Sequence, residues 1–354
     1  MFPSQLITTE GQTSELPSWE SELNETRMLN IIKDISADDF EGRHVGTNGD
    51  KLIQGYLNSE LENIGLQKII NETDFRQAFI SSGYGSTANL LAGISAGPNI
   101  QSEQVIIISA HMDHLGIASP GRVFNGANDD ASGVAVVLEV ARLCKLLSID
   151  YSFKKNIIFA FWNAEEVGFQ GSKYFVSSEP LKKYNLEIEL VINLDEVGYD
   201  AGDHTLWVSG GLDIPEIYAN GFETAAEKVG ILNTNLYKSN GGSDHQSFLD
   251  KNIPAMTLVW TAHRPFWHTT DDTWEKIDTN LLGKTTSLLM TLLIDQYGVL
   301  DTSKPLENSR DLDPIFVITK NENKSNYGLI LGGISIGIMI LGIIFLLRYS
   351  KKAF

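Results

Sequence analysis

Cysteine is nearly absent from this chain: Cys144 stands alone among 354 residues. One thiol excludes an intramolecular disulfide, although many secreted enzymes also lack bridges and the compartment stays open. Cys144 falls in the apolar-periodic run Val134 to Leu147, which makes it a small core residue of a helix. Basic residues are also few, 27 against 45 acidic ones, for a formal charge of −18. Nothing in that balance neutralises phosphates, which argues against nucleic acid as a partner. A solvated acidic surface accounts for it.

Charge is missing altogether from Gly328 to Leu347. A helix over those residues, at about 1.5 Å per residue, spans the hydrocarbon core of a bilayer. Arg348, Lys351 and Lys352 follow directly, and the positive-inside tendency then puts the short tail in the cytoplasm and the body outside. Gly328/Gly332 and Gly333/Gly337 give a weak small-xxx-small spacing for helix pairing. Met1 to Asn30 is polar and has no basic-then-apolar signal segment. Either the start shown is not the true start, or the protein is tail-anchored with its body in the cytosol; the charge asymmetry favours the outward orientation. Only then would the acceptor patterns at Asn24, Asn71 and Asn323 carry glycans.

Internal repeats and low-complexity tracts are absent too. With 42% hydrophobic residues the chain can bury a substantial core. The division expected is a lead-in over 1–18, one catalytic domain over 19–300, a stalk over 301–327 holding Pro305 and Pro314, a transmembrane helix over 328–347 and a basic tail over 348–354.

Within the domain, runs near Gln77–Ser81, Ala88–Gly93, Val105–Ser109, Asn156–Trp162, Leu190–Leu194, Thr205–Ser209 and Pro254–Trp260 read as strands. Helical periodicity begins near Glu20 and recurs over Asp50–Ile64, Ser132–Leu147, Gly171–Val176, Ile214–Val229 and Leu281–Tyr297. This alternation predicts a three-layer α/β/α fold with a mixed, mostly parallel central sheet.

Several strands end in groups that bind metals. Val105-Ile-Ile-Ile108 runs into Ser109-Ala-His-Met-Asp-His-Leu-Gly116, and His111 is the first ligand candidate, because open α/β sheets place ligands at strand carboxyl ends. In an extended segment Asp113 projects from the same side and would accept the ring's second N–H. Asp129 and Asp130 open a helix; capping needs only one of them, and the second invites a metal. Glu165 and Glu166 follow the strand ending at Trp162, where one could hold a metal and the other serve as base for an attacking water. Asp195 follows a third strand, Asp244 and His245 lie in a glycine-rich loop, and His268 follows the strand ending at Trp260. Two histidines and three carboxylates suit zinc, and a pair of ions about 3.5–4 Å apart uses all five where a single ion leaves ligands over.

Taken together, His111-Met-Asp-His-Leu-Gly, Asn128-Asp-Asp-Ala-Ser-Gly, Asn163-Ala-Glu-Glu-Val-Gly, Asn193-Leu-Asp, Ser243-Asp-His and Phe266-Trp-His-Thr-Thr-Asp-Asp-Thr resemble the co-catalytic zinc aminopeptidases, metallopeptidase family twenty-eight. The loop Phe40-Glu-Gly-Arg-His-Val-Gly-Thr-Asn-Gly49 is similar to the segment before that family's catalytic core, and the resemblance covers roughly residues 25 to 298. It implies a zinc exopeptidase fold and removal of amino-terminal residues from peptides. It further implies that Asp129 bridges two zinc ions, His111 and Asp195 complete one, and Glu166 and His268 the other. Glu165 is then the general base, Asp113 orients His111, the Asp129–Asp130 peptide is strained or cis, and Asp244 and His245 lie near the site without being ligands. His44, His114, His204 and His263 receive no role and read as surface or packing residues.

The sequence departs from the family in two places. Trp267 precedes His268 where an oxyanion-stabilising tyrosine is expected, and Gln67 to Ile100 has no room for a protease-associated insert. Two other readings compete: a single-zinc glutaminyl-peptide cyclase, and a membrane-anchored interaction domain without activity. The complete ligand set and Glu165 favour hydrolysis.

Overall fold

The computed structural model describes residues 19–70, 73–96, 104–119, 121–177, 187–261 and 263–301. The lead-in, the tail, the span 328–347 and all of the stalk but residue 301 lie outside them. Among the described residues, no helix is long and apolar enough to cross a membrane.

A nine-stranded sheet runs through the domain. Its strands are β1 (Gln67–Lys68), β2 (Arg76–Ser81), β3 (Gly85–Ile94), β4 (Gln104–His111), β5 (Asn156–Trp162), β6 (Glu187–Leu194), β7 (Leu206–Ser209), β8 (Thr234–Tyr237) and β9 (Ala255–Trp260). They lie in the order β1-β3-β5-β4-β6-β9-β7-β8, with β2 paired outside β3. The central block β5-β4-β6-β9 is parallel, so its carboxyl ends share one edge. Outside it the pairing is mixed: β3 runs antiparallel to β5, β2 and β1, and β7 antiparallel to β9. The edge pair β7 and β8 is parallel as well, so the sheet is mixed as expected, with its parallel pairs in the central block and at the β8 edge. The short turn between β2 and β3 forces an antiparallel hairpin.

Alternate residues of the central strands face two helical layers. Ile106, Ile108, Phe159, Phe161 and Ile192 pack under α1 (Glu25–Ile35), α2 (Asn48–Ile64), α3 (Gly133–Leu147) and the later helices α5 (Glu216–Lys228) and α7 (Thr279–Thr291). Val105, Ile107, Ile158 and Trp162 pack on the other face against Phe175 of α4 (Gln170–Ser177) and Phe248 of α6 (His245–Leu249). Strands buried on both faces read as unbroken apolar runs, which is why β4 and β5 stand out in the sequence. Cys144 is buried in α3, and burial pushes its thiol up.

At one helix start and one strand the structure departs from the sequence reading. Helical structure does begin at Glu20, as a 3-10 turn over Glu20–Glu22, but α1 itself starts at Glu25, because the Asn24 side chain accepts the Arg27 N–H at 2.9 Å and caps it there. The strand Thr234–Tyr237 gave no sequence signal, since all four residues are half-buried and show no alternation.

Candidate metal centre

His111 is the last residue of β4, and its backbone N–H donates to Asp130 Oδ2 at 3.2 Å. Its Nδ1 lies 3.2 Å from the backbone carbonyl of Asp113. A carbonyl only accepts, so Nδ1 carries the proton and Nε2 is left as a lone-pair donor. That Nε2 sits 3.1 Å from Asp129 Oδ1 and 3.8 Å from Asp195 Oδ1. The Asp113 carboxylate, expected to take this ring N–H, is 3.8 Å from Nδ1. It accepts instead the backbone N–H groups of Glu165 at 3.0 Å and Glu166 at 3.3 Å. Past the end of β5 those amides have left the sheet's hydrogen-bond ladder and need an acceptor.

The loop before α3 positions Asp129. Gly126 has φ +58°, and a Cβ there would lie 2.3 Å from the Asp129 carbonyl oxygen, so only glycine fits. Asp272 accepts the backbone N–H groups of Asn128 at 2.8 Å and Asp129 at 3.0 Å. Asp130, joined to Asp129 by a cis peptide, spends its carboxylate on N–H groups of His111, Gly133 and Glu196. The capping work thus falls to Asp130, and Asp129 keeps both oxygens for the cluster.

On the other side of Asp129 stand Glu166 and His268. His268 Nε2 is 3.3 Å from Asp129 Oδ2 and 3.1 Å from Glu166 Oε2. The His268 ring is stacked on Trp267 at a centroid distance of 4.0 Å, and Arg264 lies 4.9 Å above Trp267 while paired with Glu196. His114, given no role from the sequence and read there as a surface or packing residue, is fully buried here, and its Nδ1 donates to Glu166 Oε1 at 2.7 Å. It was missed because the chain leaves β4 at His111, and two-residue alternation no longer says which way residue 114 points. His204 and His263 are exposed and His44 is half-buried.

Ligand atoms of His111, Asp129 and Asp195 lie within 4.8 Å of one another, as do those of His114, Asp129 and Glu166. The charge pattern suits a cation. Burial lowers the His111 imidazole, but Glu165, Asp129 and Asp195 override this and hold it well above its usual value. Burial likewise opposes charge on His268, yet Asp129 and Glu166 raise it to about 10. Burial pushes Asp129 up, and the surrounding imidazoles outweigh it and hold the carboxyl well below the usual range. Without a metal both histidines take up a proton because the carboxylates around them favour positive charge; a zinc ion would supply that charge instead and leave Nε2 of each ring as a donor, and nitrogen and oxygen donors at these separations fit zinc.

Glu165 is 8% exposed, and burial drives its carboxyl well above the ordinary range, against the lowering field of His111. Asp244 is also buried; its Oδ1 accepts from Ser172 Oγ at 2.5 Å, and burial raises it to about 7. His245 is held by hydroxyls of Ser209, Ser239 and Thr257. Arg43, in the loop singled out before α2, is buried and donates to the carbonyls of Ile35, Met112, Asn125 and Gly126. It fastens the loops that carry Asp113 and Asp129. No periodicity announces such a residue.

Aminopeptidase YwaD of Bacillus subtilis is 31% identical over 222 residues, which cover 57% of this chain and 43% of that protein. Leupeptin-inactivating enzyme 1 of Streptomyces exfoliatus is 28% identical over 227 residues, 64% of this chain and 46% of that protein. The chain thus spans less than half the length of these two curated relatives. In fold it is similar to the LapA aminopeptidase of Legionella pneumophila, with a TM-score of 0.64 at 22% identity, covering 82% of this chain and 77% of that one. The model of Peptidase family M28 matches residues 89–293, more than half of the chain, and the protein belongs to that family.

Proposed function

We propose that this protein is a dizinc aminopeptidase that hydrolyses amino-terminal residues from peptides. The observation that carries the reading is the sharing of Asp129 between two ligand groups, with His111 and Asp195 on one side and Glu166 and His268 on the other. Zinc held there supplies Lewis-acid polarisation of the scissile carbonyl and lowers the pKa of water. The protein's own contribution is to place and move protons. Asp113 holds the loop of Glu165 by its backbone, so that the carboxylate faces the cluster. Glu165 takes the proton from the attacking water and passes it to the leaving amine. His114 fixes Glu166 Oε1, leaving Oε2 toward His268.

The body is proposed to face outward from a bilayer anchored through residues 328–347; membrane fractionation with protease protection tests this. The activity is tested with aminoacyl anilides and zinc counting on the full chain. Turnover of free-amine substrates, abolished by amino-terminal acetylation, with two zinc ions per chain, is the expected result. One zinc with cyclisation of amino-terminal glutamine would give the protein to the cyclase reading, and two zincs without any turnover to an interaction role.

A further inference from the structure

Beside Asp195 opens a cavity of about 320 Å3. It lies over β7 and β9, on the face opposite the larger core, where Trp207 pairs with Val259 and Ser209 with Thr257 across the strands. Tyr237 meets Trp207 edge to face at 6.1 Å and completes an apolar wall. The floor is polar: His245 is fixed between Ser209 and Thr257. Asn240 and Arg264 also line it, and both are exposed.

We infer that this cavity receives the side chain of the substrate's amino-terminal residue and selects side chains ending in a carbonyl oxygen, glutamine and glutamate foremost. The inference rests on the proposed aminopeptidase activity. Asp195, which that reading assigns to zinc, is the sole carboxylate among the lining residues, so a basic side chain meets Arg264 and finds no free anion. A branched aliphatic side chain would displace water from hydroxyl, amide and guanidinium groups without replacing its hydrogen bonds, and a site lined by such groups rejects side chains that cannot bond to them. A glutamine or glutamate lays its methylene stem along Trp207 and Val259. Its terminal oxygen then accepts from Arg264, whose planar fork is suited to carboxylate and carboxamide oxygens even while one nitrogen serves Glu196.

The test uses the zinc-loaded full chain with glutaminyl, glutamyl, leucyl and lysyl anilides, and calorimetry with the corresponding free amino acids. Glutaminyl and glutamyl substrates are expected to show kcat/KM about tenfold or more above leucyl and lysyl ones. Arg264→Gln should lower the glutaminyl-to-leucyl ratio about tenfold. Because that substitution leaves Glu196 unpaired and could disturb folding, Asn240→Asp at the exposed rim gives a second readout: the lysyl-to-glutamyl ratio should rise at least about fivefold. Leucyl or lysyl substrates leading in the unaltered protein would overturn the assignment while the aminopeptidase reading stands. If no anilide is cleaved, that reading fails on its own. Calorimetry then decides the cavity: glutamine binding about tenfold tighter than leucine supports it, and equal binding overturns it.

Discussion

The carboxylate of Asp113 accepts the backbone N–H of Glu165 at 3.0 Å, so the residue two positions beyond His111 holds the candidate base rather than the candidate ligand's ring. The end of β4 and the end of β5 are thereby tied through one side chain. Asp113→Asn keeps the shape but turns a donor toward at least one of the two amides it now accepts. Activity is expected to fall about 10–100-fold, as for other groups that position a metal site. A loss of zinc without loss of kcat per bound zinc would instead point to the His111 ring.

Glu165→Gln removes the proton acceptor and leaves the ligands in place. We expect kcat to drop about 10²–10⁴-fold while two zinc ions stay bound, read by metal analysis of the same sample. If the variant loses a zinc, Glu165 is a ligand and not the base.

Trp267 stacks on His268 at 4.0 Å, and His268 is the least buried member of the cluster, its side chain 32% exposed. Removing the stack with Trp267→Ala should weaken one zinc about tenfold and leave the other unchanged, whereas Trp267→Phe, which keeps a ring there, should retain both. Competitive chelator titration separates the two affinities. Equal weakening of both ions would show that the stack does not act through His268.

Burial raises Asp113 and Asp244 to about 7 and Asp272 to about 6. Between the unfolded value of 3.8 and these values the folded chain binds more protons than the unfolded one, so stability falls as pH rises through the window. The raised imidazoles of His111 and His268 act in the same direction at higher pH. Melting of the metal-free protein should therefore drop by more than about 5 °C from about pH 5 to about pH 8. Asp244→Asn should flatten the slope while keeping an oxygen for the Ser172 hydroxyl. A melting temperature that holds or rises across the window contradicts this.

Much of the site was legible because its residues sit at the ends of strands that announce themselves locally. Val105 to Ile108 and Ile157 to Phe161 are buried on both faces, and such runs are visible without a partner. Their parallel pairing, with His111 opposite Trp162, then brings the residues after each strand to one edge. Thr234 to Tyr237 stayed hidden because an edge strand that is half-buried throughout shows no alternation.

The amino-acid sequence by itself determined the cores of the central strands and the set of histidines and carboxylates that end them, because periodicity and spacing are local properties. Only the tertiary structure decided how those groups divide their work. Asp113 turned from the His111 ring to the amides of Glu165 and Glu166; Asp130 took the hydrogen bonds that free Asp129; and His114, Asp272 and Arg43, which lie inside the quoted motifs but had no role there, became hydrogen-bonding partners of the site. Each of those choices is made by a hydrogen-bond donor or acceptor far away in the chain, which must be satisfied once it is buried.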